Sequence, residues 1–284
     1  MRPAAAAAAR ELAAALDVFL EADARRRKAR ATAPHQRALQ AAMAKAFRRQ
    51  GSTFLALLGR RAPATEARRS ARNLREALPE EEVWRRAFGE AALATLVLFE
   101  GPLRQYAALA MLDGARAAIA ELRIRDAFEL SNPRAVAWLE THPALRVAGI
   151  NDATRDEIGR IISEGAAAGR SYSAIAREIR AAYRAFAVGS PLEHIRSRAE
   201  LVAVTEIGDA YEAGNRIVAD GVAAAGLEME KSWLDVGDRR VDPDCVSNAA
   251  QGWIPIDAAF GSGHQQPTAH PGCRCTTLYR RKPS

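Results

Sequence analysis

The chain has no hydrophobic run long enough to cross a membrane. Its longest apolar stretch, residues 91–99, is followed by Gly101-Pro102 and falls far short of the roughly 20 residues that a membrane-spanning helix requires. The alanine-rich start has neither the hydrophobic region nor the cleavage site of a secretory signal peptide. We therefore expect a soluble intracellular protein with no membrane partner.

Aromatic residues are also scarce, at 6% against 49% hydrophobic residues overall, and alanine makes up much of the difference. Alanine is the best helix former, so the composition favours helices. Small side chains bury little apolar area each. We expect the helices to complete their packing against a partner.

Acidic residues are absent from residues 24–65, which contain eleven basic ones. Residues 1–125 hold 23 basic and 13 acidic residues, a net charge of +10, whereas the rest of the chain carries a net charge of −3. The basic region is either a solvated arginine face or a contact surface for nucleic acid or an acidic protein. No aromatic pattern accompanies the arginines, so base recognition is not indicated.

The motifs of common catalytic sites are missing as well: there is no nucleophile elbow, phosphate-binding loop or helical pair of metal-binding histidines. His35 is the one histidine among residues 1–125, and we interpret Glu206, in the middle of a predicted helix, as a structural residue. The sequence predicts a protein that is not an enzyme.

The pattern predicts a mainly α protein with a small C-terminal α+β domain. In the first half, helices are predicted at about 1–30, 35–59, 79–100 and 103–124, separated by Pro34, the polar segment 60–80 and Gly101-Pro102. We divide the chain into a basic helical region (1–125), a helical neck (126–190) and a C-terminal domain (191–284).

The neck and the C-terminal domain have recognisable helix boundaries. Helices are predicted at 133–140, at 152–167 with Asn151 as N-cap, and from Ser171, with Ile175, Ile179 and Tyr183 on one face. Proline and glycine mark further boundaries, at His142-Pro143 and Gly169. The segment 190–193, Ser-Pro-Leu-Glu, combines an N-cap, an N1 proline and a capping-box glutamate, and starts a long helix over about 191–220. Residues 228–234, 253–256 and 276–279 then predict short strands.

All three cysteines lie in this irregular β unit, at Cys245, Cys273 and Cys275. Together with His270 or Asp242 they offer the four ligands that a structural zinc ion takes, and a metal would compensate for the small core. Free buried thiols, or a disulfide between Cys245 and one of the other two, are the alternatives.

Three ordered segments resemble the phage Mu F-like minor head proteins. Residues 198–206 read Arg-Ala-Glu-Leu-Val-Ala-Val-Thr-Glu and precede Ala213-Gly214, Lys231-Ser232-Trp233 is followed by residues 237–241 (Gly-Asp-Arg-Arg-Val), and residues 270–275 read His-Pro-Gly-Cys-Arg-Cys. The resemblance covers about 128–281. Asp242 stands where many members have the first cysteine of a Cys-x-x-Cys pair, and Val204 where they often have arginine.

The resemblance implies a minor capsid protein of the phage head, associated with the portal inside the procapsid. Portal and major capsid proteins would be its partners, the virion interior its location, and head assembly and DNA packaging or ejection its processes. The basic N-terminal half would suit a contact with packaged double-stranded DNA. The rival interpretations are a nonspecific DNA-binding scaffold protein and a toxin- or transferase-type effector.

Overall fold

The computed structural model describes residues 3–61, 81–125, 127–188, 195 and 197–283. Within these ranges the chain forms six helices and a three-stranded antiparallel sheet, which confirms the predicted fold class. The elements are α1 (Pro3–Arg61), α2 (Glu81–Leu122), α3 (Pro133–Ala167), α4 (Tyr172–Val188), α5 (Arg198–Ala224), β1 (Met229–Leu234), α6 (Pro243–Ala250), β2 (Trp253–Pro255) and β3 (Thr276–Arg281).

The break predicted at Pro34 is wrong, because α1 is one continuous helix that contains this proline. A proline removes one backbone hydrogen bond and crowds the preceding turn. The buried positions keep helical spacing on both sides of it, from Lys28 and Thr32 to Leu39 and Met43. Packing on one continuous face therefore outweighs the local cost of the proline.

Two more predicted breaks are absent. Helix α2 continues through Gly101-Pro102 and α3 through His142-Pro143. Asn151, predicted as an N-cap, lies inside α3, where its side-chain carbonyl accepts a hydrogen bond of 2.8 Å from the Gln50 amide. The predicted helix start at Pro79 and most of the polar segment 60–80, predicted as a loop or a short exposed helix, lie outside the described residues.

The boundaries of α4 follow the sequence more closely. Gly169 has a positive φ of 66° just after α3, and the Ser171 hydroxyl accepts the backbone N–H of Ala174, so both predicted signals are confirmed. Helix α5 begins at Arg198 and not at about 191, and Ser197 caps it by accepting the N–H of Glu200. Residues 189–194 lie outside the described ranges.

The sheet has the order β2-β1-β3, and both neighbours of β1 are antiparallel to it. Glu230 pairs with Pro255 on one side and with Arg280 on the other. The sequence predicted the three strands but not α6, whose start is marked by Asp242 as N-cap and Pro243 in the first turn.

The chain divides into two compact units, each assembled from separate segments. Unit 1 consists of residues 1–37, 106–137 and 204–284, and unit 2 of residues 38–105 and 138–203. The core of unit 1 includes Leu122, Met229 and Tyr279. Unit 2 has an aromatic core, in which Phe47 lies 5.3 Å from Phe99 between ring centroids. The three consecutive regions predicted from the sequence are a different division and stay a prediction.

None of the helices in the described ranges combines the length and the apolar character that crossing a membrane demands.

Candidate metal centre

Helix α6 places the first of the predicted ligands. Asp242 adopts an extended backbone and its carboxylate accepts the N–H of Asp244 at 2.9 Å, while Pro243 occupies the first turn. This cap fixes the start of the helix so that Cys245, one turn in, is fully buried. Asp242 thus acts as a helix cap, and the structure does not bring its carboxylate into the thiol cluster.

The cluster consists of Cys245, His270 and Cys273, whose ligand atoms all lie within 4.8 Å of one another. The Sγ atoms of Cys245 and Cys273 are 3.8 Å apart, and Cys245 Sγ lies 3.5 Å from His270 Nε2. All three cysteines of the chain are free thiols, so the predicted disulfide alternative is not the state seen here.

Cys275, the third predicted cysteine ligand, is not a member of this three-residue group but lies in the same core. It is buried with Trp233, Phe260 and the other two cysteines, and its thiol interacts with those of Cys245 and Cys273. The indole of Trp233 packs edge-on against Phe260, with 5.2 Å between the ring centroids. The three thiols therefore lie in an apolar core, and His270 is half-buried beside them.

These distances fit a tetrahedral zinc ion. With Zn–S bonds of about 2.3 Å and a Zn–N bond of about 2.05 Å, two sulfur ligands lie about 3.8 Å apart and a sulfur and a nitrogen about 3.6 Å apart. The observed 3.8 Å and 3.5 Å agree with both values. Two of the three distances within the cluster therefore already match those around a bound zinc ion.

The thiols already favour one thiolate. The hydrogen bond between Cys245 and Cys273 lowers the pKa of Cys273 and raises the pKa of Cys245, because it stabilises a negative charge on Cys273. A metal cation binds the thiolate and not the thiol. Cys273 is therefore the cysteine whose thiolate form the contacts in the cluster favour.

The histidine is oriented for the same purpose. His270 Nδ1 lies 3.0 Å from the carbonyl oxygen of Pro271, and since a carbonyl only accepts, Nδ1 carries the proton in this contact. Nε2, the nitrogen that faces Cys245, is then left with its lone pair. This is the tautomer that a metal-binding histidine needs.

Two contacts hold the ligand loop in place. The N–H of Gly272, which has a φ of 80°, donates to the hydroxyl of Thr205 on α5 at 2.8 Å. Arg274 makes a two-pronged ion pair with Asp238, at 2.7 and 3.0 Å. The three sequence segments that carried the resemblance therefore meet around one cluster.

A buried charge network adjoins this loop. Lys28, on α1, is 6% exposed, and its ammonium lies 2.8 Å from the Glu212 carboxylate, which is fully buried. The ammonium also donates to the carbonyl oxygen of Cys275. Glu212 in turn accepts from the hydroxyl of Thr276 and the N–H of Thr277. The backbone after the last cysteine is thus tied to α1 and α5 within unit 1.

Sequence reasoning missed the role of Lys28 because it treated the basic residues together. Ala24, Lys28 and Thr32 are each four residues apart and all buried, so their spacing placed the lysine on the packed face of the helix. Arg25 is also engaged, since its Nε donates to the backbone carbonyl of Asp235. The interpretation of the whole basic run as a solvated face is therefore wrong at these two positions.

A scan against protein families matched residues 156–278 to the family described as Phage Mu protein F like protein. This range contains α4, α5, β1, α6, β2, the first residues of β3 and every residue of the cluster. No curated protein and no solved structure matched the chain. Residues 156–278 are therefore similar to the Phage Mu protein F like family.

Proposed function

We propose that this protein is a phage head morphogenesis protein: a minor capsid component that binds the portal and the inner head during procapsid assembly. The observation that carries the proposal is the match over residues 156–278. The convergence of the three matching segments on one cluster supports it, because the residues typical of the domain are also those that build its core.

Exposed apolar side chains support a protein partner. Leu93 and Val97 lie one turn apart on α2 and are 74% and 71% exposed. Large exposed apolar side chains in one place are typical of protein-binding surfaces. The portal protein and the major capsid protein are the proposed partners, and the capsid interior near the portal vertex is the proposed location.

A contact with packaged double-stranded DNA is the second part of the proposal. The cations of α1 that lie on its exposed face support it, since lysine and arginine bind phosphates without regard to sequence. They are Arg26, Arg30, Arg37, Lys45, Arg48, Arg49 and Arg60. The affinity of the full-length protein for duplex DNA should fall steeply as the salt concentration rises. An affinity that does not change with salt concentration would contradict the proposed DNA contact.

The metal proposed for the cluster is zinc, with Cys245, His270, Cys273 and Cys275 as ligands. Four protein ligands leave no open coordination position, which is typical of a structural site and not of a catalytic one. We accordingly propose a stabilising role for the ion and no enzymatic activity for the chain. When bound, zinc would neutralise the thiolate charge that the buried cluster favours.

Zinc content tests this assignment directly. Elemental analysis of the purified full-length protein should give one zinc per chain, and Cys273→Ser should lose it. Asp242→Asn is the matched control: asparagine also caps helices well, so the variant should keep its zinc. Wild-type protein that folds without zinc, or loss of zinc in the control, would contradict the assignment.

The head-assembly proposal is tested by affinity purification from phage-producing cells, followed by mass spectrometry. Recovery of the portal and major capsid subunits supports it. The alternative, a nonspecific DNA-binding scaffold protein, is favoured if DNA copurifies without either subunit. Recovery of neither DNA nor head proteins would contradict both.

A further inference from the structure

Unit 2 contains a basic cleft, and Arg48 is the one arginine of its lining that also belongs to the DNA contact proposed above. Its volume is about 510 Å³, and helices α1 and α4 form its walls. Its polar lining residues are Arg48, Ser52, Arg177, Arg180, Tyr183 and Arg184.

The charge of this cleft is uncompensated. Arg177, Arg180 and Arg184 are spaced three and four residues apart, so they share one face of α4, and Arg48 adds a fourth cation from α1. No carboxylate lines the cleft. The one acidic side chain of α4, Glu178, pairs with Arg170 instead, at 2.6 Å. Like charges this close repel each other, and a bound anion would relieve the repulsion.

Tyr183 gives an independent indication of a ligand. It lines the cleft, it is 3% exposed, and its buried hydroxyl has no hydrogen-bond partner within the described ranges. A buried polar group without a partner destabilises the fold unless something satisfies it. Burial also raises the pKa of Tyr183 above its ordinary value, so the hydroxyl keeps its proton and is available as a donor.

The tyrosine is held in this place by the shape of α1. A Cβ atom added to Gly51 would lie 2.5 Å from Cγ of Tyr183, so only glycine lets the ring lie against the helix at this point. The ring of Phe186 packs edge-on at 5.4 Å on the same helix. The position of the ring is therefore fixed by packing, while the four arginines are exposed.

We propose that this cleft is a phosphate-binding site. One arginine guanidinium can donate two parallel hydrogen bonds to two oxygens of a phosphate. The Tyr183 hydroxyl would donate to one further oxygen. The phosphate can belong to a nucleic-acid backbone or to a small phosphorylated molecule. Three of the four arginines lie on α4, outside residues 1–125. The site follows from the cleft alone and does not depend on incorporation of the protein into phage heads.

Binding measurements on the full-length protein test the site with two probes, inorganic pyrophosphate and a short duplex DNA. The double variant Arg177→Gln/Arg184→Gln should bind its ligand at least about tenfold more weakly, since each lost charged hydrogen bond is substantial. The matched control is Arg86→Gln/Arg104→Gln, which removes two exposed charges from the same unit and should change affinity less than about twofold.

A second variant, Tyr183→Phe, keeps the packing and removes only the hydroxyl. It should weaken binding by about fivefold or more and leave the ligand-free thermal stability unchanged or higher. A variant that only disturbed folding would lower that stability instead.

The two probes separate the sources of the phosphate. Pyrophosphate binding that the double variant loses supports a small phosphorylated ligand. A nucleic-acid backbone is supported if duplex DNA binds and pyrophosphate does not. The slope of the logarithm of the DNA-binding constant against the logarithm of salt concentration should then fall by about two in the double variant. If neither probe binds, or if the double variant binds as the wild type does, the proposal is wrong. Copurification with head proteins is a separate readout, so failure of one proposal leaves the other standing.

Discussion

The carboxylate of Glu212 illustrates how much a single residue connects in unit 1. Buried completely, it accepts hydrogen bonds from Lys28, Thr276 and Thr277. A buried ionised carboxylate is tolerated only with such partners, because desolvation of an unpaired charge is very unfavourable. The lysine supplies the compensating charge and also reaches the backbone of Cys275.

Replacement of Lys28 should therefore be costly. Lys28→Met keeps the length of the side chain but leaves Glu212 without a counter-charge, and we expect the free energy of unfolding to fall by about 3–5 kcal/mol. Urea denaturation measures the change. Arg30→Met on the exposed face of α1 is the control and should stay within about 0.5 kcal/mol of the wild type. Equal effects of the two substitutions would refute the role of the ion pair.

Glu121 makes folding stability dependent on pH. Its carboxylate accepts the N–H of Tyr279 at 3.1 Å, and desolvation raises its pKa from 4.5 to about 7. Between these values the folded chain binds more protons at this site than the unfolded chain does. The contribution of Glu121 to stability is therefore full below about pH 4.5 and declines as pH rises to about 7.

Glu121→Gln should remove this contribution to the pH dependence, since glutamine stays neutral and can still accept the N–H of Tyr279. We expect the variant to gain stability relative to the wild type between pH 5 and pH 8, as followed by thermal denaturation. Glu140→Gln, at an exposed site, should follow the wild-type profile. A Glu121→Gln profile parallel to that of the wild type would contradict the assigned pKa.

At the scale of elements, glycine permits the close contact of α2 and α5 in unit 1. A Cβ atom at Gly114 would lie 1.9 Å from the carbonyl oxygen of Tyr211, and one at Gly214 would lie 2.0 Å from that of Met111. Both neighbours are backbone atoms, which cannot turn aside as a side chain does. Any larger residue must push the two helices apart.

Gly214→Ala should consequently lower the free energy of unfolding by at least about 1–3 kcal/mol, the usual effect of overpacking. Gly221→Ala tests the same change on the same helix where no atom lies within 4 Å of the added Cβ, and there the higher helix propensity of alanine should stabilise slightly. Chemical denaturation compares the two. The contact has no such role if both substitutions stabilise the protein.

Local signals predicted helix ends better than helix breaks. Gly169 and Ser171 act within one turn of chain, and the structure has both as expected. Pro34, Pro102 and Pro143 all lie within continuous helices, because buried faces on either side of each proline hold the helix together. Such packing depends on residues distant in sequence, and no local pattern contains it.

The cysteine and histidine cluster was also predictable only in part, because residue types are visible in the sequence and long-range contacts are not. Cys245, His270 and Cys273 stood out by residue type and do lie together. Asp242 is close to Cys245 in sequence, yet its carboxylate is used by the start of α6. The link from Lys28 to Cys275 spans most of the chain, so only the three-dimensional structure could reveal it.

At the scale of the whole molecule, the similarity of residues 156–278 to the Phage Mu protein F like family supports a role in phage head morphogenesis. Residues of this matched segment build a cluster with buried thiols, which suits a structural component. The basic cleft of unit 2 would provide a separate contact with phosphate.

Quantitative mass spectrometry of purified procapsids and mature heads tests this central claim most directly. The account predicts that the protein is present in procapsids, in far fewer copies than the major capsid protein. Its absence from both particles, in cells that produce the protein alongside normal heads, would contradict the account.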